Sequence, residues 1–335
     1  MYAKTRRWFA GCSLLALSAS AGCTLDKKDD GADEFREAVP AQESIALSGP
    51  DSSAASSTAA AAPSRRALGT APTQSYAKWY GFTRAMRQGV NQVTAGVLGS
   101  VWAILHVPPS TLSGNMASWG PYTDELEPVT YRFRIERIAL DEYDYTLEGR
   151  PKASSRDSDF RAVLTGHGYG KPHALHGQGE FRIDLDVAKS LDPFAHQADS
   201  GSVRVSYELP HDFLDNPNFL PRSITAEVDP AGPERYTVES LALLDHTGSI
   251  HVDAHTDIAD GKDTQLEDVV IDSRWNQIGA GRADIGLAGG DLPSTNPVVD
   301  AVECWGTDFL QSYYSDSVDF SPTVGVESAC VYASK

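Results

Sequence analysis

Two stretches bring histidines close enough in sequence to do chemistry. GHGYGKPHALHG places His167, His173 and His176 among glycines, and IHVDAHTD places His251, Asp253 and His255 at every second residue. Three imidazoles converging in a loop could hold zinc, which takes histidine nitrogen at about 2.0–2.1 Å. On a strand, alternate residues share a face but stand almost 7 Å apart, too far for His251, Asp253 and His255 to share one ion unless the strand bends. Both groups therefore read as solvated histidines, one on a glycine-rich loop and one on a polar strand face, and the sequence assigns neither a role. DIADGKDTQLED carries Asp257, Asp260 and Asp263 on a period of three, whereas an EF-hand alternates its acids ahead of the glycine. A turn at Gly261 accounts for it. No GxSxG elbow, HExxH, P-loop or GxGxxG opening a helix occurs. The sequence thus predicts no catalytic residues, no metal site and no cofactor, and a protein that is not an enzyme.

The elements that would carry these residues begin after an unusual leader. Lys4, Arg6 and Arg7 precede Trp8 to Gly22, an apolar and small-residue stretch of 15 residues. At 1.5 Å per residue that is too short to cross a hydrocarbon core about 30 Å thick, and it reads as an export signal. Its end, Ser20-Ala21-Gly22-Cys23, resembles the lipobox of bacterial lipoproteins, in which small residues precede a cysteine that is lipidated and becomes the new N-terminus. Ser20 departs from the family pattern, where leucine is usual. Cys12, in Phe9-Ala10-Gly11-Cys12, is a local rival that would leave almost no apolar segment after Arg7; ordinary signal-peptidase cleavage and an uncleaved anchor are the other readings. The resemblance implies a signal peptide over 1–22, a lipid on Cys23, and membrane attachment in the bacterial cell envelope. Thr24 stands where aspartate would retain such a protein at the inner membrane, so the resemblance favours the outer membrane, on a side it does not specify.

With Cys12 and Cys23 in the leader, Cys304 and Cys330 are the remaining pair. An even pair in an exported chain reads as a disulfide.

The formal net charge of the 335 residues is -18, which repels phosphate backbones and argues against a nucleic-acid partner. Residues 23–75 are dominated by Asp, Glu, Ser and Ala, with runs such as SSAASSTAAAAPSRR. That composition predicts a disordered tether, leaving 76–335 as one folded domain whose oligomeric state is not encoded in any visible pattern.

The domain opens on a helical period. Trp79, Phe82, Met86, Val90, Val93, Val97, Val101 and Leu105 recur every three or four residues, and Pro108 and Pro109 follow, which predicts one long N-terminal helix with a buried stripe. From Tyr122 the period becomes two. VTYRFRIER, EYDYTL, EFRIDLDV, SVRVSYEL, SITAEVD, RYTVESL, SIHVDAHTDI and RADIGLAG each alternate apolar with polar residues, as antiparallel strands do with one face in water. The expected fold class is mainly β: a curled antiparallel sheet, a barrel or half-barrel of about eight to ten strands, with the helix lying in or across its hollow. The aromatics of AVECWGTDFLQSYYSD (Trp305, Phe309, Tyr313 and Tyr314) would close one end of it. Such an arrangement looks like that of envelope lipid-binding lipoproteins, in architecture alone. It is compatible with a non-catalytic binding or structural module whose partner is an envelope protein, or with a carrier of an acyl chain, lipid or other apolar small molecule in the hollow.

Overall fold

A computed structural model describes residues 31–50, 75–197, 199–209, 222–243, 245–258, 265–292, 295, 297–319 and 321–333. The leader, Cys23 and the Asp260–Asp263 turn lie outside the described residues. The chain is mainly β, with fifteen antiparallel strands among the described residues, and it divides into two compact units.

The first unit takes residues 31–46 and Gly89–Pro233. It holds helices α1 (Asp33–Glu37) and α2 (Gln42–Ile45), the second part of α3 (Lys78–Leu105), and α4 (Leu185–Leu191). Its strands are β1 (Thr111–Leu112), β2 (Met116–Thr123), β3 (Val129–Ala139), β4 (Glu142–Pro151), β5 (Arg161–Lys171), β6 (His176–Asp184), β7 (Ser202–Leu209) and β8 (Arg222–Asp229). Each strand pairs antiparallel with its neighbour in the chain. The alternation works as the two-residue period requires: Phe133, Ile135, Tyr145, Leu147, Phe181, Ile183, Val203, Val205 and Ile224 are buried, while Arg134, Asp144, Arg182 and Arg204 point outward.

Part of the predicted tether belongs to this core. Residues 31–46 are packed: Phe35, Ala38, Val39 and Ile45 are buried, and the Phe35 ring meets Tyr143 edge-on at 6.1 Å. Arg36 Nε donates to the Leu105 carbonyl at 2.8 Å, Trp102 Nε1 to the Pro40 carbonyl at 3.1 Å, and Arg222 to the carbonyls of Glu43 and Ala46. The apolar residues of EFREAVPAQESI are too few to register in a composition averaged over fifty residues, yet Phe35, Ala38, Val39 and Ile45 are all buried.

The second unit takes Leu47–Gln88 and Glu234–Lys335. Its strands are β9 (Arg235–Ala242), β10 (Gly248–Thr256), β11 (Glu267–Trp275), β12 (Gly281–Gly289), β13 (Val298–Trp305), β14 (Gln311–Asp316) and β15 (Val324–Gly325), again paired in chain order. Glu303 on β13 is wholly buried and accepts the first N–H groups of α3: Lys78 at 2.7 Å, Trp79 at 2.8 Å and Tyr80 at 3.0 Å, with Gln311 Nε2 at 2.9 Å. These are the donors that a helix start leaves without intrahelical partners, and the negative end group favours the helix dipole. Tyr80 stacks on Phe309 at 4.9 Å and lies 5.1 Å from Trp305, so the C-terminal aromatics serve as packing for the helix start.

A disulfide joins Cys304 to Cys330. The segment it holds is also tied by Arg282 to Glu327 at 3.0 Å and by Arg274 Nη2 to the Ala333 carbonyl at 3.0 Å.

Several expectations need correction. Among the described residues β1 pairs with β2 alone and β15 with β14 alone, so the strands do not close into a barrel. Their number exceeds eight to ten because β1 and β15 are only two residues long, β2 and β5 carry glycines, and β11, β13 and β14 bury polar residues (Glu267, Ser273, Glu303 and Gln311) that blur the alternation. The long helix is present over 28 residues, but α1 and α2 precede it. Its buried stripe in the first half runs through Tyr80, Thr83 and Arg87 instead of Trp79, Phe82 and Met86. This face places Tyr80 against Trp305 and Phe309 and Arg87 Nη1 within 3.3 Å of the Leu47 carbonyl, to which it donates. EFRIDLDV is strand only to Asp184, where Asp184 Oδ1 accepts the Val187 N–H at 2.9 Å and starts α4. No helix among the described residues is long and apolar enough to cross a membrane.

Candidate functional site

The glycine-rich stretch that looked like a loop is β5, a 3-10 turn over Pro172–Ala174, and the start of β6. Its glycines at 166, 168, 177 and 179 all occupy the inward parity of the two strands. A Cβ on Gly166 would stand 2.2 Å from the Tyr145 ring, one on Gly179 2.5 Å from the Tyr207 hydroxyl, and one on Gly168 3.2 Å from the Ala38 carbonyl. The glycines are therefore a notch filled by two tyrosines from the flanking strands and by the backbone of the packed N-terminal segment. Burial pushes the phenols of Tyr145 and Tyr207 well above their ordinary value, so both stay neutral and act as packing.

That same parity sends the intervening residues outward. Across β5–β8 they form two rungs: His167, Glu180, Ser206 and Thr225 in one, and Tyr169, Gln178, Glu208 and Ser223 in the other. Strands about 4.8 Å apart make each rung roughly 14 Å long, and the rungs lie almost 7 Å from one another. The small hydroxyl residues of β7 and β8 sit low between longer side chains, leaving a depression of about 450 Å³ lined by these residues. That volume is in the range of small-ligand sites.

Some groups elsewhere on the polar faces pair with one another. Arg132 and Arg134 share Glu148 at 2.6 and 2.7 Å, and Arg274 and Arg282 both bond Asp284. By contrast, the side chains of Gln178, Ser206, Glu208, Ser223 and Thr225 have no hydrogen-bond or ion-pair partner among the described residues. Tyr169 is 45 % exposed. A second depression, of about 340 Å³, includes Asp184, Asp186 and Asp229, but Asp184 is occupied as the α4 cap and Asp186 accepts the Gly201 N–H at 3.0 Å.

The histidines expected in clusters are dispersed. His167 is held at the rim by Asp144, 2.8 Å from Nδ1, and by Glu142, 3.3 Å from Nε2. His173 lies against the Trp102 ring at 4.2 Å, and His176 opens β6. His251 and His255 share a strand face, and each has its own carboxylate: Asp272 at 3.1 Å and Asp268 at 2.7 Å. Among the described residues no three His, Cys, Asp or Glu side chains are grouped to hold a metal ion.

Sequence reasoning missed the groove residues because GHGYGK reads as a loop, so Tyr169 was not placed on a strand face. The signal was the glycines at every second position from 166, which leave His167 and Tyr169 the opposite parity. Comparison of the chain with protein-family models, with curated proteins and with solved structures finds no match.

Proposed function

We propose that this chain is a lipid-anchored cell-envelope protein that acts as a non-catalytic binding module, and that its ligand sits on the polar face of β5–β8. The observation that carries this reading is the depression itself, where Gln178, Ser206, Glu208, Ser223 and Thr225, none with a hydrogen-bond or ion-pair partner among the described residues, gather beside the half-exposed Tyr169 ring. A group that forgoes an internal partner at the surface loses little, since water serves it, and is available to a ligand at no cost in broken bonds. The carrier reading is weaker because Phe35, Val39, Leu98 and Leu105 are buried in the same unit, Phe35 against Tyr143 of β4, where an apolar ligand would need space. Anchoring rests on the lipobox-like leader, and a Cys23→Ser chain is expected to move from the detergent-extracted membrane fraction to the soluble one.

The test of the binding face is site-specific photo-crosslinking of the full chain in intact producing cells, with the photoreactive residue at Gln178 in one variant and at His255 on β10 in another. Adducts confined to position 178 support the reading. Equal adducts at both positions, or none at either, overturn it.

A further inference from the structure

The chemistry of the depression specifies a class of ligand. We propose that it binds a neutral glycan. This rests on the reading of the β5–β8 face as the binding surface and goes beyond it by naming what binds.

Three properties of the groove converge on polyhydroxylated ligands. The first is the stock of groups. Gln178 offers an amide donor and acceptor, Glu180 and Glu208 offer carboxylate acceptors, and Ser206, Ser223 and Thr225 offer hydroxyls that both donate and accept. A sugar presents adjacent hydroxyls that also donate and accept, so it can saturate such a mixed set. A purely anionic or cationic ligand would leave half of it unmatched, at a cost for each group desolvated without a partner. The second is Tyr169, whose half-exposed ring stands at one end of the Gln178–Glu208–Ser223 rung. An aromatic ring with one wet edge provides a flat apolar surface beside polar groups, which suits the C–H face of a pyranose.

The third is charge. Glu180 and Glu208 are the acids of the lining. One rung beyond, Arg182 on β6 and Arg204 on β7 face each other directly in register and are exposed. Glu227 on β8 continues that rung in register with Arg204, so the acids Glu180, Glu208 and Glu227 outnumber the two arginines by one, and the mixed signs leave no cationic cluster to select an anion. His167 is bonded at the rim to Glu142 and Asp144. The rung length of roughly 14 Å spans more than one sugar ring, so an oligosaccharide is favoured over a single sugar.

Isothermal titration of the full chain in detergent tests this with cellohexaose, chitohexaose and maltohexaose as neutral probes, and with trigalacturonate and spermine as charged ones. The expected result is binding of at least one neutral hexaose, weakened tenfold or more by Tyr169→Ala and by Gln178→Ala, kept by Tyr169→Trp, and unchanged by His255→Ala. Three results overturn it: no neutral hexaose binding at millimolar concentration, tighter binding of trigalacturonate or spermine than of any hexaose, or affinity indifferent to Tyr169 and Gln178. The photo-crosslinks separate the two levels of the argument. A protease-sensitive adduct confined to position 178 would leave the binding face standing and remove the glycan, whereas absence of any adduct removes both.

Discussion

Replacing Glu303 probes the most concentrated polar arrangement in the second unit. Its carboxylate is fully buried and accepts four hydrogen bonds, three from the start of α3 and one from Gln311. In Glu303→Ala the helix loses its cap, worth about 1 kcal/mol, and buried donors lose their acceptor at about 1–3 kcal/mol each. Allowing for partial relaxation and water entry, a loss of about 3–5 kcal/mol is expected. Glu303→Gln keeps one acceptor oxygen but turns an NH2 toward other donors, for a loss of about 1–2 kcal/mol at neutral pH.

The pH dependence is the sharper part. Burial raises the Glu303 carboxyl above its ordinary 4.5, outweighing the backbone and Gln311 hydrogen bonds that lower it. A folded value above the unfolded one means that the native state binds more protons, so the stability from this titration is fully present below 4.5 and is lost as pH rises through the folded value. Glu303→Gln has no such titration. The difference between wild type and Glu303→Gln should therefore be largest in acid and shrink as pH rises from 4.5. Urea unfolding followed by tryptophan fluorescence at a series of pH values measures it, with the slope checked for constancy. A cost below about 1 kcal/mol for Glu303→Ala, or a Glu303→Gln difference that grows between pH 4.5 and 8, would refute the reasoning.

Three further perturbations follow from the packing. Phe35→Ala should cost about 3–5 kcal/mol in urea unfolding and open residues 31–50 to limited proteolysis; a wild-type midpoint would mean that the segment is not part of the core. Gly166→Ala drives a Cβ into the Tyr145 ring and should cost about 1–3 kcal/mol, while Gly286→Ala, with nothing within 4 Å of its Cβ, should lose no more than about 1 kcal/mol in thermal unfolding. Cys330→Ser opens a loop with a sequence separation of 26 and should lower stability by about 3.5 kcal/mol in the chain-entropy account; an unchanged denaturation midpoint would show that the arginine ties hold the C-terminal segment without the bond.

Much of the architecture was legible from period alone. VTYRFRIER, SVRVSYEL and RYTVESL alternate so regularly that burying one face leaves a single register, and the strands form where the alternation lies. A helix over 78–105 was legible in the same way, because its spacing and the following prolines are local properties, but the two short helices ahead of it were not. The pairing of Cys304 with Cys330 followed from counting once an exported chain was assumed.

Other features were decided by tertiary structure. Phe35 and Val39 look like isolated apolar residues in a polar stretch until a sheet offers them a surface, since the hydrophobic gain depends on area removed from water and not on neighbours in sequence. The buried face of α3 carries Arg87, which donates to the Leu47 carbonyl, a partner 40 residues away that no local pattern reveals. Glu303 would be read as a solvated acid on an alternating strand; only the fold brings the first three N–H groups of α3 to it. The groove residues come from four strands, and their convergence depends on registers that join His167 to Thr225 through Glu180 and Ser206. Local periodicity determined which residues face inward, because it is a property of the backbone. Which of them meet, and which polar groups are left without a partner, was decided by pairings between distant segments.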